Sequence, residues 1–241
     1  MIAKYLRVGL LPEVRAMNEE ERELRSLINL RDTLVKSKSG YKTLIDNILS
    51  AIGKEIKGNK ESAEYERVIE RLEISEVRKL EIKELLGQIN SLRESIKKIE
   101  KEIKERGRKG KGHKGLTSIS GIGELSATII ENAIVDIDDF ENEKKLCSYA
   151  GLVPIVKESA GKNKASRTTR KGNKLLRTIL VQCGLVAIRY NEKLKQFYLK
   201  IKNKKGHGKA IVAVARKLLV IIYYTMKNRW VFKDFNNGVL A

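Results

Sequence analysis

IKELLGQINSLRESIKKIEKEI, residues 82–103, decides the architecture of this chain. Its apolar residues Ile82, Leu85, Ile89, Leu92, Ile96, Ile99 and Ile103 recur at alternating three- and four-residue steps, and charged residues such as Glu84, Arg93, Lys97 and Glu100 flank them. That spacing lays one apolar stripe along one side of a helix. With its flanks the stripe runs roughly 35–40 Å, more than a small globular core covers by itself. The spacing predicts an antiparallel helical hairpin, with pairing to a second subunit as the other way to cover the stripe.

Upstream, Leu24, Leu27, Leu34, Tyr41, Ile45, Ile48 and Ile52 follow the same alternation from about Asn18 to Ile52, and Arg31 and Lys38 fill two of its positions. Gly53 and Lys57-Gly58-Asn59-Lys60 break this first helix, and Glu61 opens a second helical stretch lasting to about Arg106. GRKGKGHKG, residues 107–115, reads as a basic, solvated linker through which no element runs. Beyond it, residues 116–232 read as one compact helical domain, in which Asp138 and Glu141 form a capping box, Asn173 starts a helix, and Glu192–Lys202 and Lys209–Arg229 form two more. The basic turn Lys204-Lys205-Gly206-His207-Gly208 joins the last two. The expected fold class is mostly α: a long antiparallel coiled-coil hairpin at 16–106, the linker at 107–115, the compact domain at 116–232, and short segments at 1–15 and 233–241.

Lysine and arginine outnumber aspartate and glutamate 50 to 30 in 241 residues, a formal net charge of +20. A polyanion is the partner such a balance favours, provided the charge is clustered. Only 5% of residues are aromatic, the prolines are Pro12 and Pro154, and strand-type alternation is scarce, all in keeping with aliphatic helix packing. Cys147 and Cys183 lie far apart among apolar residues, which suits buried thiols rather than a zinc site or disulfide framework. MIAKYLRVGLL lacks the apolar core of a signal peptide, and Arg216-Lys217 interrupts the most apolar segment, so the expectation is a cytoplasmic protein with no membrane span.

The cations do cluster. Lys157, Lys162, Lys164, Arg167, Arg170, Lys171, Lys174 and Arg177 face the single acid Glu158, with Ser159, Ser166, Thr168 and Thr169 as further donors. A solvated helix face would mix both signs, so this run is the strongest nucleic-acid footprint in the chain. No aromatic residue lies inside it, which favours duplex backbone contact over base stacking. Ser159 stands in a glycine-bearing loop suited to a phosphate, but a serine nucleophile needs a base or a metal, and His113 and His207 both sit in glycine-lysine turns that read as solvated. Gly121-Ile122-Gly123 has the form of a helix-hairpin-helix, in which backbone N–H groups meet a DNA phosphate; a tight turn between packed helices would need the same glycines. Asp136, Asp138, Asp139, Glu141 and Glu143 gather near a helix start, where local capping accounts for them without a metal.

Taken in order, LTSISGIGELSATIIENAIVDIDDFENEKKLCSYAGLVPIVKESAGKNKASRTTRKGNKLLRTIL followed by GKAIVAVARKLLVIIYYTMKNRW resembles the C-terminal domain of the insertion-sequence one-ten family of transposases, recombinases guided by a bridge RNA. The stretch 24–106 resembles that family's coiled-coil linker. The resemblance implies DNA strand exchange through a covalent phosphoserine link. Ser159-Ala160-Gly161-Lys162, Gly172-Asn173 and Leu176-Arg177 are the matching residues, and Ser159 inherits the nucleophile's place. Ala160 stands where the family often has glycine. Expected partners are DNA, a structured guide RNA and further copies of the chain through the coiled coil. The resemblance leads to the expectation that the family's RuvC-like domain, whose acids bind magnesium, is missing, since residues 1–15 resemble only its end. No cofactor is therefore expected in this chain, and Mg2+ only together with that acidic domain. The other readings are a non-catalytic DNA- or RNA-binding remnant or regulator, and a structural coiled-coil protein whose charge is incidental.

Overall fold

The computed structural model of the chain describes residues 4, 7, 16–108, 110, 112–159, 162–168 and 172–232, the two strands within 154–168 by backbone alone. The expected segments at 1–15 and 233–241 therefore lie outside the described residues, save Lys4 and Arg7.

Helix α1 (Glu19–Ala51) begins at a capping box: Asn18 Oδ1 accepts from the Glu21 N–H at 2.8 Å, and the Glu21 carboxylate accepts from the Asn18 N–H at 3.0 Å. It ends at Gly53, where φ is +69°. Helix α2 (Ala63–Glu70) is short, and helix α3 (Glu76–Gly107) restarts after it under the Ser75 cap. The single stretch expected from Glu61 onward is thus two helices, because the Ser75 hydroxyl oxygen accepts from the Arg78 N–H and opens a new first turn.

Helices α1 and α3 pack antiparallel along their length, with Glu23 bonded to Arg106 at 2.8 Å and Arg31 to Glu100 at 2.7 Å. Ile82, Ile89, Ile96 and Ile103, seven residues apart, are all buried in the contact. Leu85, Leu92 and Ile99 are only partly covered, so the buried seam is narrower than the sequence stripe. On α1 the buried residues are Ile28, Ile45 and Leu49; of these only Ile45 belongs to the expected series. Helix α2 closes the far end, where Tyr65 and Ile69 join Ile45, Leu49, Ile82, Leu86 and Ile89. Lys42 and Lys38 converge on Glu61 at 2.5 and 3.1 Å, and the Lys42 bond above all holds that carboxyl below its ordinary range.

The rest of the fold consists of α4 (His113–Thr117), α5 (Glu124–Ile134), a 3-10 turn (Ile137–Asp139), α6 (Glu143–Tyr149), strands β1 (Pro154–Ser159) and β2 (Lys162–Thr168), α7 (Lys174–Tyr190), α8 (Glu192–Lys205) and α9 (His207–Lys227). Helix α9 is its centre. Ile211, Val214, Leu218, Ile222 and Tyr223 bury several sides of it, and α4, α6, α7 and α8 surround it. Among the described residues no helix is long and apolar enough to cross a membrane.

The segment expected to be a solvated linker is instead a packed joint. Gly107 is the last residue of α3, and a Cβ there would lie 1.8 Å from Thr128 Oγ1 on α5. The Glu131 carboxylate accepts from the Gly112 N–H at 2.7 Å, and His113 begins α4 with 7% of its surface exposed. Arg25 of α1 donates to the Asn132 carbonyl at 2.8 Å, and Asn132 donates back to the Glu21 carbonyl. Ile28 and Ile103 then merge with the core around α5, so one apolar cluster continues from the hairpin into the compact domain.

Candidate nucleic-acid interface

Strands β1 and β2 form an antiparallel ribbon in the register Lys157↔Lys164, Glu158↔Asn163 and Ser159↔Lys162. The sequence placed Ser159 in a glycine-bearing loop. The backbone makes it instead the last residue of β1, and the connection shrinks to residues 160–161, which lie outside the described residues. Successive strand residues alternate between faces, and directly opposed residues share one. Lys157, Ser159, Lys162 and Lys164 therefore occupy one face of the ribbon, while the acid Glu158 and its partner Asn163 occupy the other. An irregularity between Pro154 and Val156 shifts the register toward the base of the ribbon.

Two directly opposed lysines destabilise a strand pair. An anion lying on that face would reverse the sign of the effect. Of the other expected cations, Arg167 lies on β2, while Arg170 and Lys171 lie outside the described residues. Lys174 and Arg177 stand one turn apart at the start of α7, a helix with no acid in its first turn. A lysine there opposes the helix dipole, again a cost that a bound phosphate offsets.

The base of the ribbon is a defined joint that the sequence did not show. Gly172 has φ +125°, and a Cβ on it would lie 2.7 Å from the Tyr149 carbonyl and 2.8 Å from the Gly151 nitrogen. Only glycine lets the chain return so close to the end of α6. Asn173 next caps α7, its Oδ1 accepting from the Leu176 N–H at 3.0 Å, while its own N–H donates to the Tyr149 carbonyl at 2.8 Å. Leu176 is fully buried. The GN-x-x-L pattern is thus a docking device for the ribbon, and its one legible signal was Asn before an apolar periodic run.

The two glycines of the helix-hairpin-helix reading differ. Gly121, with φ +95°, lies against α7, where a Cβ would sit 2.7 Å from both the Ala187 nitrogen and the Cys183 carbonyl. This is a packing role. Gly123 caps α5, and a Cβ there meets nothing within 4 Å. The first turn of α5 also holds Glu124, which is ion-paired with Arg108 at 3.1 Å.

Three of the five acids have partners. Asp136 accepts from the Asp138 N–H at 3.0 Å, Asp138 pairs with Lys227 at 2.5 Å, and Glu143 accepts from the Tyr224 hydroxyl at 3.4 Å. Asn142 caps α6 through the Lys144 and Lys145 N–H groups; the expected Asp138–Glu141 box is replaced because the 3-10 turn takes up Asp138. Among the described residues no three His, Cys, Asp or Glu side chains converge on a metal position, and this acidic group does not form a ligand set.

The two histidines differ. His113 is not the solvated residue expected but is buried 3.9 Å from Glu131, its Nδ1 without a hydrogen-bond partner among the described residues. His207 is exposed as expected, its Nδ1 sharing a 2.7 Å hydrogen bond with the Tyr198 hydroxyl. Cys147 and Cys183 are buried free thiols, and burial raises the pKa of each.

Residues 113–199, which hold the ribbon, its joint and α4–α7, match the family described as Transposase IS116/IS110/IS902 family. The chain is similar to the transposase for insertion sequence element IS1111A of Coxiella burnetii, 27% identical over 218 residues that cover 87% of this chain and 60% of that protein. It is also similar to the pilin gene-inverting protein of Moraxella bovis, 33% identical over 115 residues covering 46% of this chain and 36% of the other. A third relative is the insertion element IS110 uncharacterized 43.6 kDa protein of Streptomyces coelicolor, 24% identical over 114 residues covering 47% and 28%. The chain thus spans 60% or less of the length of these relatives.

Proposed function

We propose that this chain serves in DNA transposition of an insertion sequence, gripping DNA with the β1–β2 ribbon and presenting Ser159 to a phosphodiester. The observation that carries the reading is the register, which sets Ser159 on one face with Lys157, Lys162 and Lys164 inside the segment similar to transposases. In the proposed step the Ser159 hydroxyl gives up its proton as its oxygen bonds to phosphorus, the phosphorus–oxygen bond to one side of the strand breaks, and the departing DNA oxygen takes up a proton to leave as a hydroxyl. The flanking lysines oppose the charge that builds on the phosphoryl oxygens. Lys174, Arg177, Arg167, Arg170 and Lys171 extend the grip along the backbone, and Gly123 offers the start of α5 as a further contact.

The α1–α3 hairpin is proposed to act as a coiled coil that joins copies of the chain through its half-covered flank, Leu85, Leu92 and Ile99. A structured guide RNA and, only together with an acidic RuvC-like domain, Mg2+ complete this reading. One observation favours the rival, a DNA binder without catalysis. Among the described residues, His113 is buried and His207 is held by Tyr198, so neither stands as a base for Ser159.

Incubation with a duplex carrying the element's end and Mg2+, alone and with a full-length relative, separates the two. Protein–DNA adducts that survive denaturation and vanish in Ser159→Ala support the enzyme. Salt-sensitive band retardation with no adduct in either mixture supports the binder.

A further inference from the structure

The positive charge is spread very unevenly over the fold. Helix α1 carries six acids and six bases and α3 seven acids and nine bases, whereas residues 192–209 carry seven lysines and one acid, Glu192. Helix α8 turns its apolar residues Leu194, Phe197, Tyr198 and Ile201 toward α7 and α9, with Leu194 and Tyr198 buried. Its lysines are left on the outside. Lys195, Lys200, Lys202, Lys204, Lys205 and Lys209 are all exposed, and among the described residues the one of these with an ion-pair partner is Lys195, with Glu192 at 3.4 Å.

Helix-dipole compensation accounts for Lys202, Lys204 and Lys205 in the last turn of α8, but not for Lys195 or Lys200. Like charges a turn apart, as at Lys200 and Lys204, destabilise a helix that has no counter-charge. The turn that follows is fixed by the Tyr198–His207 hydrogen bond at 2.7 Å, so Lys204, Lys205 and Lys209 are presented from a rigid corner.

We propose that the outer face of α8 and the α8–α9 turn bind the phosphate backbone of duplex DNA, as a second contact remote from the ribbon. A membrane surface does not fit, because the apolar side of α8 is already spent on α7 and α9. Duplex DNA does, since it offers one charge per roughly 1.7 Å of axis, and the line from Lys195 to Lys205 is roughly 15 Å long. Lysines alone on the face, with no arginine among them, suit point contacts to phosphate rather than base reading. Helix α7, 17 residues or about 25 Å long, runs between the ribbon joint and the start of α8, so the two contacts stand on separate parts of the fold.

The proposal rests on the transposition reading only in choosing DNA, and the test tells the two apart. Fluorescence anisotropy of the full chain with a 30-base-pair duplex of arbitrary sequence, across roughly 50–200 mM salt, compares wild type, Lys200→Ala/Lys204→Ala/Lys205→Ala/Lys209→Ala, and Lys157→Ala/Lys162→Ala/Lys164→Ala. The α8 variant is expected to bind about tenfold or more weakly at mid-range salt and to lose about 2–4 from the slope of log affinity against log salt, with its melting temperature unchanged. Wild-type affinity and slope in the α8 variant, alongside loss in the ribbon variant, overturn the α8 site and leave the ribbon reading standing. Absence of salt-dependent binding by wild type overturns both. Loss confined to an RNA duplex of the same length overturns the assignment to DNA.

Discussion

Asn173 donates from Nδ2 to the phenol oxygen of Tyr149 at 3.2 Å, and that phenol donates in turn to the Ala133 carbonyl at 3.0 Å. One asparagine thus caps α7 and ties the ribbon's return strand, through α6, to the end of α5. Asn173→Ala removes the cap and this link together. A loss of about 1–2 kcal/mol is expected, or a Tm lower by roughly 3–6 °C by calorimetry. Asn173→Asp keeps the cap and forfeits the donated bond, so its loss should be the smaller of the two.

Glycines at 121 and 123 separate structure from contact. Ala at 121 would need a positive φ and would overlap the α7 backbone, so Gly121→Ala is expected to cost about 3 kcal/mol or more in denaturant unfolding. Gly123→Ala meets open space and should cost less than about 1 kcal/mol. Weaker DNA binding in the stable Gly123→Ala protein would therefore report a contact at the start of α5. The same loss in Gly121→Ala would report misfolding.

The long helix and its seam were legible in the sequence because a seven-residue repeat needs only local periodicity, and Ile82, Ile89, Ile96 and Ile103 are buried where that periodicity puts them. The ribbon was not. PIVKES and KNKASRT lack sustained apolar alternation, and residues such as Lys and Asn carry little strand preference, so nothing local announced a strand pair. The same cations were found by their one-sign run, but that run does not say which of them share a face with Ser159; the register does. The joint at Gly107–His113 misled for a different reason. Glycine and lysine in sequence look like a solvated connector, yet Gly107 is there for its closeness to Thr128, a fact of tertiary packing. Residues 192–209 met the criterion applied to residues 157–177, one sign without its opposite, and read only as helix and turn until the helix faces were known.

Glu131 links pH to the strength of that joint. Burial pushes its carboxyl above the ordinary carboxylate range, with the Gly112 N–H opposing in part. A raised folded-state pKa means that the group's contribution is complete below the unfolded pKa and is lost as pH rises through the folded one. Glu131→Gln keeps an acceptor for Gly112 and carries no charge to desolvate. The variant is expected to melt higher than wild type at pH 7, and the gap should narrow toward pH 4. A gap that widens on acidification would contradict the burial argument.

Arg31 and Glu100 interrupt the apolar seam midway between two hydrophobic clusters, held by two bonds of 2.9 and 2.7 Å from the guanidinium to one carboxylate oxygen. Their side chains are 21% and 24% exposed, so the pair is mostly withdrawn from water. Withdrawing two charges costs about as much as their attraction returns, and removing one partner leaves the other unpaired. Glu100→Ala is therefore expected to destabilise the hairpin by about 1–3 kcal/mol, the range for a partly buried charge left without its bond. Arg31→Leu with Glu100→Leu should be neutral or stabilising, because it makes the seam apolar throughout. A double-mutant cycle in urea that returned a large loss for the double variant would show instead that the pair contributes net stability at this position.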